Sequence, residues 1–459
     1  MNEINKAIQS NDVTPWKKAM IRIFIGVALS GMTLHVGALD VFLPGIGLAL
    51  SLLGFRAMQQ ECSWYKKAFL ANVVRLAYFM LYVILRTTIW YSKEALTMPL
   101  RAASALNMIL LFVEYYCLWK GLQDTQLKQD AEAIPGSGTI VGLMLWTILM
   151  GFLGSAGYEG LLLPLVMLIA YIFLLRNWYR FIVKMDEAGC TIEPHTSAVS
   201  DQCLILLLAG ILLVGCVCGY TFGSRYPMKW AEIDRPAGTE KTKENLKSLG
   251  FPEEVLADLT ARDLSACVEA TQVITEQETF DTDNHLCFTD VAVKLGESGP
   301  WVIIHHFTWT ENQGFPGTES LTLWPTYLEI PEGWRAEGKV RGRLLCEQNG
   351  ETYTAPYRTL TEETTTTDTM FWGQQTQTSV QAAFSYPPQA EQARGYLLYP
   401  TTQTDPDTIL SSRLTYTHQH TRFQYPAQTA TEAAVQAAWT NTHAFTLIQT
   451  GFQFYPAEK

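Results

Sequence analysis

Long apolar runs crowd the first 220 residues of the chain, separated by short polar connections, and the remaining 239 residues contain none. A helix that crosses ~30 Å of hydrocarbon needs roughly 20 largely apolar residues. Seven runs meet or approach that length, at about 20–38, 41–55, 68–89, 102–119, 139–156, 160–176 and 202–220. Each is expected to be helical, because a helix satisfies its own backbone polar groups inside lipid. The second run is the weakest, being short and holding Pro44 and three glycines. Its alternative is a re-entrant or buried helix, which would reverse the side of everything downstream.

Beyond Tyr220 the pattern changes twice. Residues 221–269 read as a polar linker and a short helical neck. In LGFPEEVLADL (249–259) Pro252 opens a helix with Glu253 and Glu254 in its first turn, where proline and acidic side chains suit a helix start. Thr260 followed by Asp263 resembles a capping box and predicts a second helix. From about residue 270 to 459 short runs alternate apolar and polar residues between Gly, Pro, Asn and Asp, as strands do. Such runs include WVIIHHFTW (301–309), GKVRGRLLC (338–346), RLTYTHQHTRFQY (413–425) and AFTLIQTGFQFY (444–455). One helix is predicted from Thr429 to Trp439, and the threonine-rich run Thr359 to Thr369 reads as a loop. The expected fold is an α-helical membrane bundle of about seven spans, then a mainly β extracytoplasmic domain, a sandwich or jelly roll, behind a helical neck.

Basic residues near span ends stay in the cytoplasm. With seven spans and the N-terminus inside, that side carries Lys6, Lys17, Lys18, Arg22, Arg56, Lys66, Lys67, Lys120, Lys128, Arg176, Arg180 and Lys184, against Lys93 and Arg101 on the other. This bias favours counting the second run as a span and puts the C-terminal half outside. No cleavage pattern follows the first apolar run, so it reads as a signal anchor. Residues 221–459 hold 17 basic and 30 acidic side chains, a net charge of −13, which argues against nucleic acid and anionic lipid as partners of that half. Only Cys267, Cys287 and Cys346 lie there, too few for a disulfide scaffold.

Charges inside a bilayer are costly and draw attention to themselves. Arg75 in the third run and Glu114 in the fourth lie at similar depth and could meet, as a pair that fixes helix packing or lines an ion or substrate path, unless they snorkel to the interface. Asp40 falls in the tight connection before the second run, and His35 near the outer end of the first reads as a packed residue. A retinal protein needs a lysine in its last span, and residues 201–220 have none. A G-protein-coupled receptor would keep its C-terminus inside. The cytoplasmic loops are too short for an output domain, so signalling would require a membrane partner.

In the exported half His418 and His420 share a strand face, and with His305, His306 or His285 could hold a metal if those strands met. Glu311, Glu319 and Glu329 offer carboxylates without a spacing that singles out an acid–base pair. No GxSxG nucleophile elbow occurs and no cofactor motif is present. Trp301, Trp309, Trp324, Trp334, Trp372 and Trp439 fit core packing first and sugar stacking second.

Two stretches, ALDVFLPGIGLALSLLGFRAM (38–58) and LGFPEEVLADL with ARGYLLY (393–399), resemble uncharacterised multi-pass membrane proteins of Gram-positive, clostridia-like bacteria. That family has no assigned activity, so the resemblance implies only a place: a bacterial plasma membrane with an exposed C-terminal domain. The expected function is non-enzymatic, with the exported domain recognising an extracellular glycan or peptide as a sensor or accessory subunit. The alternatives are a transporter or channel using Arg75 and Glu114, and a surface metal-dependent or glycoside hydrolase.

Overall fold

Backbone polar groups that meet no water must bond to each other, and in the first half of the chain they do so within helices. The computed structural model describes residues 14–31, 39–91, 94–128, 134–155, 160, 162–192, 199–233, 239–280, 285–297, 299–312, 314–326, 334–369, 373–403, 408–436 and 444–455. His35, Glu329, Trp372 and Trp439 fall outside them. Two units emerge, one of residues 1–86 and 90–218, the other of residues 87–89 and 219–459.

Among the described residues the first unit holds helices α1 (Pro15–Gly31), α2 (Leu39–Met58), α3 (Ser63–Leu85), α4 (Glu94–Lys128), α5 (Thr139–Ser155), α6 (Leu162–Glu187) and most of α7 (Asp201–Phe222). Five of these, α2, α3, α4, α6 and α7, are long and apolar enough to cross a membrane. At 17 residues each, α1 and α5 are shorter. The fourth helix is far longer than its apolar run, 35 residues, and takes Arg101 and Pro99 inside it.

The glycines that weaken the second run as a sequence are its packing surface as a helix. A Cβ on Gly47 would lie 2.7 Å from the Gly26 carbonyl oxygen, one on Gly26 would lie 2.6 Å from the Gly47 carbonyl oxygen, and one on Gly54 would lie 2.7 Å from that of Ala19. The α1 and α2 backbones therefore cross at a distance that only small residues allow. Pro44 lies inside α2, in its second turn, and removes the N–H that would otherwise bond the Asp40 carbonyl. Asp40 belongs to the first turn of that helix and pairs with Arg86 at 3.1 Å. At the other end Arg22 and Arg56 meet Asp201 at 2.7 and 3.5 Å. Asp40 and Arg56 lie roughly 24 Å apart along α2 at 1.5 Å per residue, so the ion pairs mark two polar levels with apolar helix between them.

The second unit is built on antiparallel strands. An eight-stranded sheet runs β1 (Ala231–Glu232), β8 (Glu351–Ala355), β7 (Arg341–Gln348), β11 (Glu391–Gln403), β4 (Trp301–Trp309), β3 (Leu286–Leu295), β2 (Ala270–Phe280), with β6 (Trp334–Ala336) on β11. A five-stranded sheet runs β13 (Phe445–Phe454), β12 (Leu410–Gln419), β5 (Glu319–Trp324), β10 (Gly373–Phe384), β9 (Thr359–Thr369). One apolar cluster draws side chains from both: Phe307 of β4 meets Phe384 of β10 and Tyr416 of β12 at 6.2 and 5.1 Å between ring centres. Trp301 and Trp309 are buried in it, as core packing predicts. The threonine run read as a loop is strand β9, in register with β10 from Thr359–Ala383 to Thr369–Gly373. Threonine is β-branched and favours extended backbone, so a run whose one apolar residue is Leu360 is a strand all the same.

Helices α8 (Glu240–Ser248), α9 (Glu253–Asp258) and α10 (Ala261–Ser265) do not form a free-standing neck. They pack on the outer face of the larger sheet, where Leu246, Val255, Leu256 and Leu264 cover Val291, Val302, Ile304 and Leu398. Thr260 caps α10 as predicted, accepting the Asp263 N–H. Two aspartates staple this layer down. The Asp258 carboxylate takes His306 Nε2 at 2.9 Å and Arg394 Nε at 3.0 Å, while Arg343 donates twice to the Asp258 carbonyl. Asp263 takes Arg341 Nε and the Tyr396 hydroxyl, both at 2.5 Å. A further helix, α11 (Ala430–Gln436), begins at a capping box in which Thr429 and Glu432 exchange hydrogen bonds.

Burial by itself raises the Asp258 carboxyl, but the bond from His306 and the charge of Arg394 more than offset this, leaving it below the usual carboxylate range. A depressed carboxyl stabilises the fold above the unfolded value of about 3.9 and withdraws that support as pH falls through its folded value. Replacing Asp258 with alanine strands His306 and Arg394 and is expected to cost about 3–5 kcal/mol. Denaturant titration should show that loss at neutral pH and a shrinking difference between variant and parent as pH drops below about 4.

Candidate functional site

Alternation along β4 sends His305 and His306 to opposite faces of the larger sheet, and this decides what the histidines can do. His306 faces the helical layer and is held by Asp258. His305 faces the core with Phe307, where Nδ1 meets Asp290 Oδ1 at 2.6 Å. His418 shares the core face of β12 with Leu414 and Tyr416, and its Nδ1 lies 3.0 Å from each oxygen of Glu319, its register partner on β5. Burial pushes the Glu319 carboxyl up, and His418 offsets only part of that. His420 lies exposed just past the end of β12, and His285 pairs loosely with Glu311 at 3.7 Å on the surface. His418, His420 and His306 are therefore not brought together. Among the described residues no group of three or more His, Cys, Asp or Glu side chains is placed to hold a metal ion.

One polar row does cross the core. Glu276 on β2 is the register partner of Asp290 on β3, and Asp290 that of His305 on β4. From His305 the row jumps to the facing sheet, with Nε2 2.9 Å from Ser412 Oγ on β12. The Tyr399 hydroxyl donates to Ser412 Oγ at 3.1 Å, and Ser412 Oγ is within 3.2 Å of the Trp324 carbonyl oxygen. Asp290 thus faces one ring nitrogen of His305 and Ser412 the other. The order matches a Ser–His–Asp triad, yet Ser412 and His305 are 1% exposed and Asp290 3%. A substrate carbonyl has no approach to that hydroxyl, and the row acts as a polar tie between the sheets.

The row ends at solvent. Glu276 is exposed, and beside it a groove of about 560 Å³ is lined by Gln277, Glu278, Ser411, Ser412, Arg413, Gln449, Thr450, Gly451 and Gln453. It follows the two sheet edges, β2 of one and β13 with its neighbour β12 of the other. Partial burial raises the Glu276 carboxyl, the charges of Asp290 and Glu278 raise it further, and a bond from the Gln453 N–H opposes them. Amides on the outer strands are already aligned, Gln449 donating to Thr415 Oγ1 at 3.0 Å and Gln453 to Ser411 Oγ at 3.2 Å. Sequence reasoning missed these residues. The signal that could have found Ser412 is its parity, since it is the polar member of the series Leu410, Ser412, Leu414, Tyr416 that faces the core.

In the helical unit Arg75 Nη1 lies 2.5 Å from Glu114 Oε2, and both side chains are buried. Asn72 Nδ2 lies 3.4 Å from each Glu114 oxygen. Arg75 Nε and Asn72 Oδ1 are buried without a protein partner among the described residues. This pair sits between the polar levels, Arg75 roughly 16 Å along α3 from Arg86. A cavity of about 290 Å³ elsewhere in the unit is lined by Val41, Phe42, Phe79, Met80, Leu208 and Leu212 among others, and no charged side chain enters it.

No family model and no curated protein matches this chain. Among solved structures, one described as "AvmM Catalyzes Macrocyclization in Alchivemycin A Biosynthesis" is similar over 35% of this chain and 83% of its own, at 9% identity and a TM-score of 0.18. One described as "Pore forming protein" is similar over 39% of this chain and 90% of its own, at 6% identity and a TM-score of 0.18.

Glu114→Gln leaves Arg75 buried without a counter-charge and should lower stability by about 3–5 kcal/mol. The double variant Arg75→Met with Glu114→Leu removes both charges and should recover most of that loss, read as the thermal midpoint of the purified protein. A double variant as unstable as the single one would contradict the pairing.

Proposed function

We propose that the chain is a seven-span bacterial plasma-membrane protein with a cytoplasmic N-terminus, and that its β-sandwich, displayed outside, binds a hydroxyl-rich ligand of the glycan class in the groove beside β2. The observation that carries the binding reading is the lining of that groove. Pockets for drug-like ligands are mostly apolar with a few placed polar groups, whereas this one is amides, hydroxyls, two carboxylates and one guanidinium. Side chains of those types take the vicinal hydroxyls of sugars pairwise, each oxygen or nitrogen serving one hydroxyl, and they have little to offer an apolar molecule. Arg413 is steadied over the Trp324 ring at 5.6 Å, so its charge is held in place before the ligand arrives.

The seven-span reading is supported by the five long apolar helices and by the two polar levels. At 17 residues α1 and α5 reach roughly 25 Å, short of the full hydrocarbon thickness by an amount that local thinning accommodates at modest cost. With seven crossings the termini lie on opposite sides, and the basic side chains favour the N-terminal side as cytoplasmic. On this reading the protein serves as a sensor or accessory subunit by handing the binding event to a membrane partner. A transport role has less support, because Arg75 and Glu114 are closed on each other and the cavity elsewhere in the unit is apolar.

Losing a hydrogen bond to a charged group costs about 1.5–3 kcal/mol, roughly a 10- to 150-fold loss of affinity. Full-length protein in nanodiscs is to be presented to arrays of bacterial surface glycans and peptides, and any ligand retested with Glu276→Ala and Arg413→Ala. Both variants should weaken a glycan by that factor while Glu254→Ala, on the helical layer, changes nothing. Binding that survives both changes, or a peptide bound in place of glycans, would overturn this reading.

A further inference from the structure

The last turn of α7 belongs to the second unit, together with the loop that joins β12 to α11. The Tyr220 hydroxyl donates to the Gln424 carbonyl oxygen at 2.9 Å, and the Tyr220 ring meets the Phe423 ring edge to face at 5.4 Å. A residue some 200 positions later in the chain is thus fastened to the end of a membrane helix. Depth follows from length. Asp201, at the start of α7, is paired with Arg22 and Arg56 and marks one polar level. Phe222, 21 residues on, lies roughly 32 Å along the helix axis, the thickness of a bilayer's hydrocarbon core. Tyr220, Phe222 and whatever packs on Tyr220 therefore lie at the opposite boundary.

The side chains found there suit that boundary. Phe222 is 82% exposed, Phe423 75% and Tyr425 37%. Two arginines flank them: Arg225, whose Nε donates to the Pro316 carbonyl oxygen, and Arg422, close enough for its charge to act on Arg225. Neither forms an ion pair among the described residues, in a half of the chain that carries 30 acidic side chains against 17 basic. Exposed aromatic rings beside unpaired arginines at the end of a span are what the interfacial zone accepts, rings at the acyl boundary and guanidinium groups at phosphate.

We infer that the 420–428 loop, with Phe423 as its inserted ring and Arg225 and Arg422 as its phosphate contacts, is a membrane-surface anchor that ties the β domain to the outer leaflet. The inference rests on the reading of α7 as a span. It revises the expectation that so acidic a domain avoids anionic lipid, because the charge is not uniform and its basic exception lies where the bilayer begins.

The test uses full-length protein with p-acetylphenylalanine, carrying a ketone-directed spin label, in place of Phe423, Leu206 or Glu254. It is placed in nanodiscs of phosphatidylcholine with or without phosphatidylglycerol, and each label's collisions with oxygen, which concentrates in lipid, are compared with those of a water-soluble nickel chelate. At 423 oxygen should be favoured over nickel, as at the lipid-facing Leu206, whereas nickel should be favoured at 254. Arg225→Gln with Arg422→Gln should shift the label at 423 towards water in phosphatidylglycerol discs. A label at 423 that behaves as at 254 while that at 206 is in lipid overturns the anchor. A label at 206 that behaves as at 254 overturns the span reading itself.

Discussion

Charge removed from water has to be answered by a partner, and that constraint organises both units of this protein. In the helical unit it produces the Arg75–Glu114 pair between two levels of ion pairs. In the β domain it produces three histidine–carboxylate pairs, His305–Asp290, His306–Asp258 and His418–Glu319, each buried and each closed. An unpaired ion in any of these places would cost several kcal/mol. Residues that look like chemistry in the sequence are therefore engaged in holding layers together: sheet to sheet through His305 and Ser412, strand to strand through His418, helix layer to sheet through His306.

Function then has to be sought where polar side chains reach the surface. The exposed sheet edges supply such a place. Two neighbouring edges, β2 and β13, leave amides and carboxylates facing water, and the polar row behind them keeps the edges in register. Of the strands that carry the groove, β2 and β13 are paired on one side and β12 on both, so a ligand would meet a surface that is already ordered and loses little entropy on binding.

Much of the architecture was legible in the sequence, for reasons that differ by element. Apolar runs as long as those of α3, α6 and α7 have one physical solution in lipid, and the alternation of WVIIHHFTW and AFTLIQTGFQFY has one solution at a half-buried sheet. The capping chemistry of Thr260 and Thr429 is local and could be read directly. What escaped reading depended on neighbours distant in the chain. The glycines of α2 looked like a flaw until α1 was laid across them. The threonines of β9 became a strand once β10 was beside them. The histidines were a metal site only on the condition that their strands met, and sequence does not show which strand stands beside which. Glu276 and Arg413 line one groove because two sheets stack, and no local pattern encodes that stacking.

The central claim is that an odd number of crossings separates the two ends of the chain, with the β domain outside. The most direct measurement is antibody access to an epitope placed before Met1 or after Lys459, on intact and on permeabilised bacterial cells freed of their wall. The account predicts that the C-terminal epitope is reached on intact cells and the N-terminal one only after permeabilisation. Both epitopes on the same side would mean an even number of crossings, and a C-terminal epitope reached only in opened cells would place the β domain and its groove in the cytoplasm.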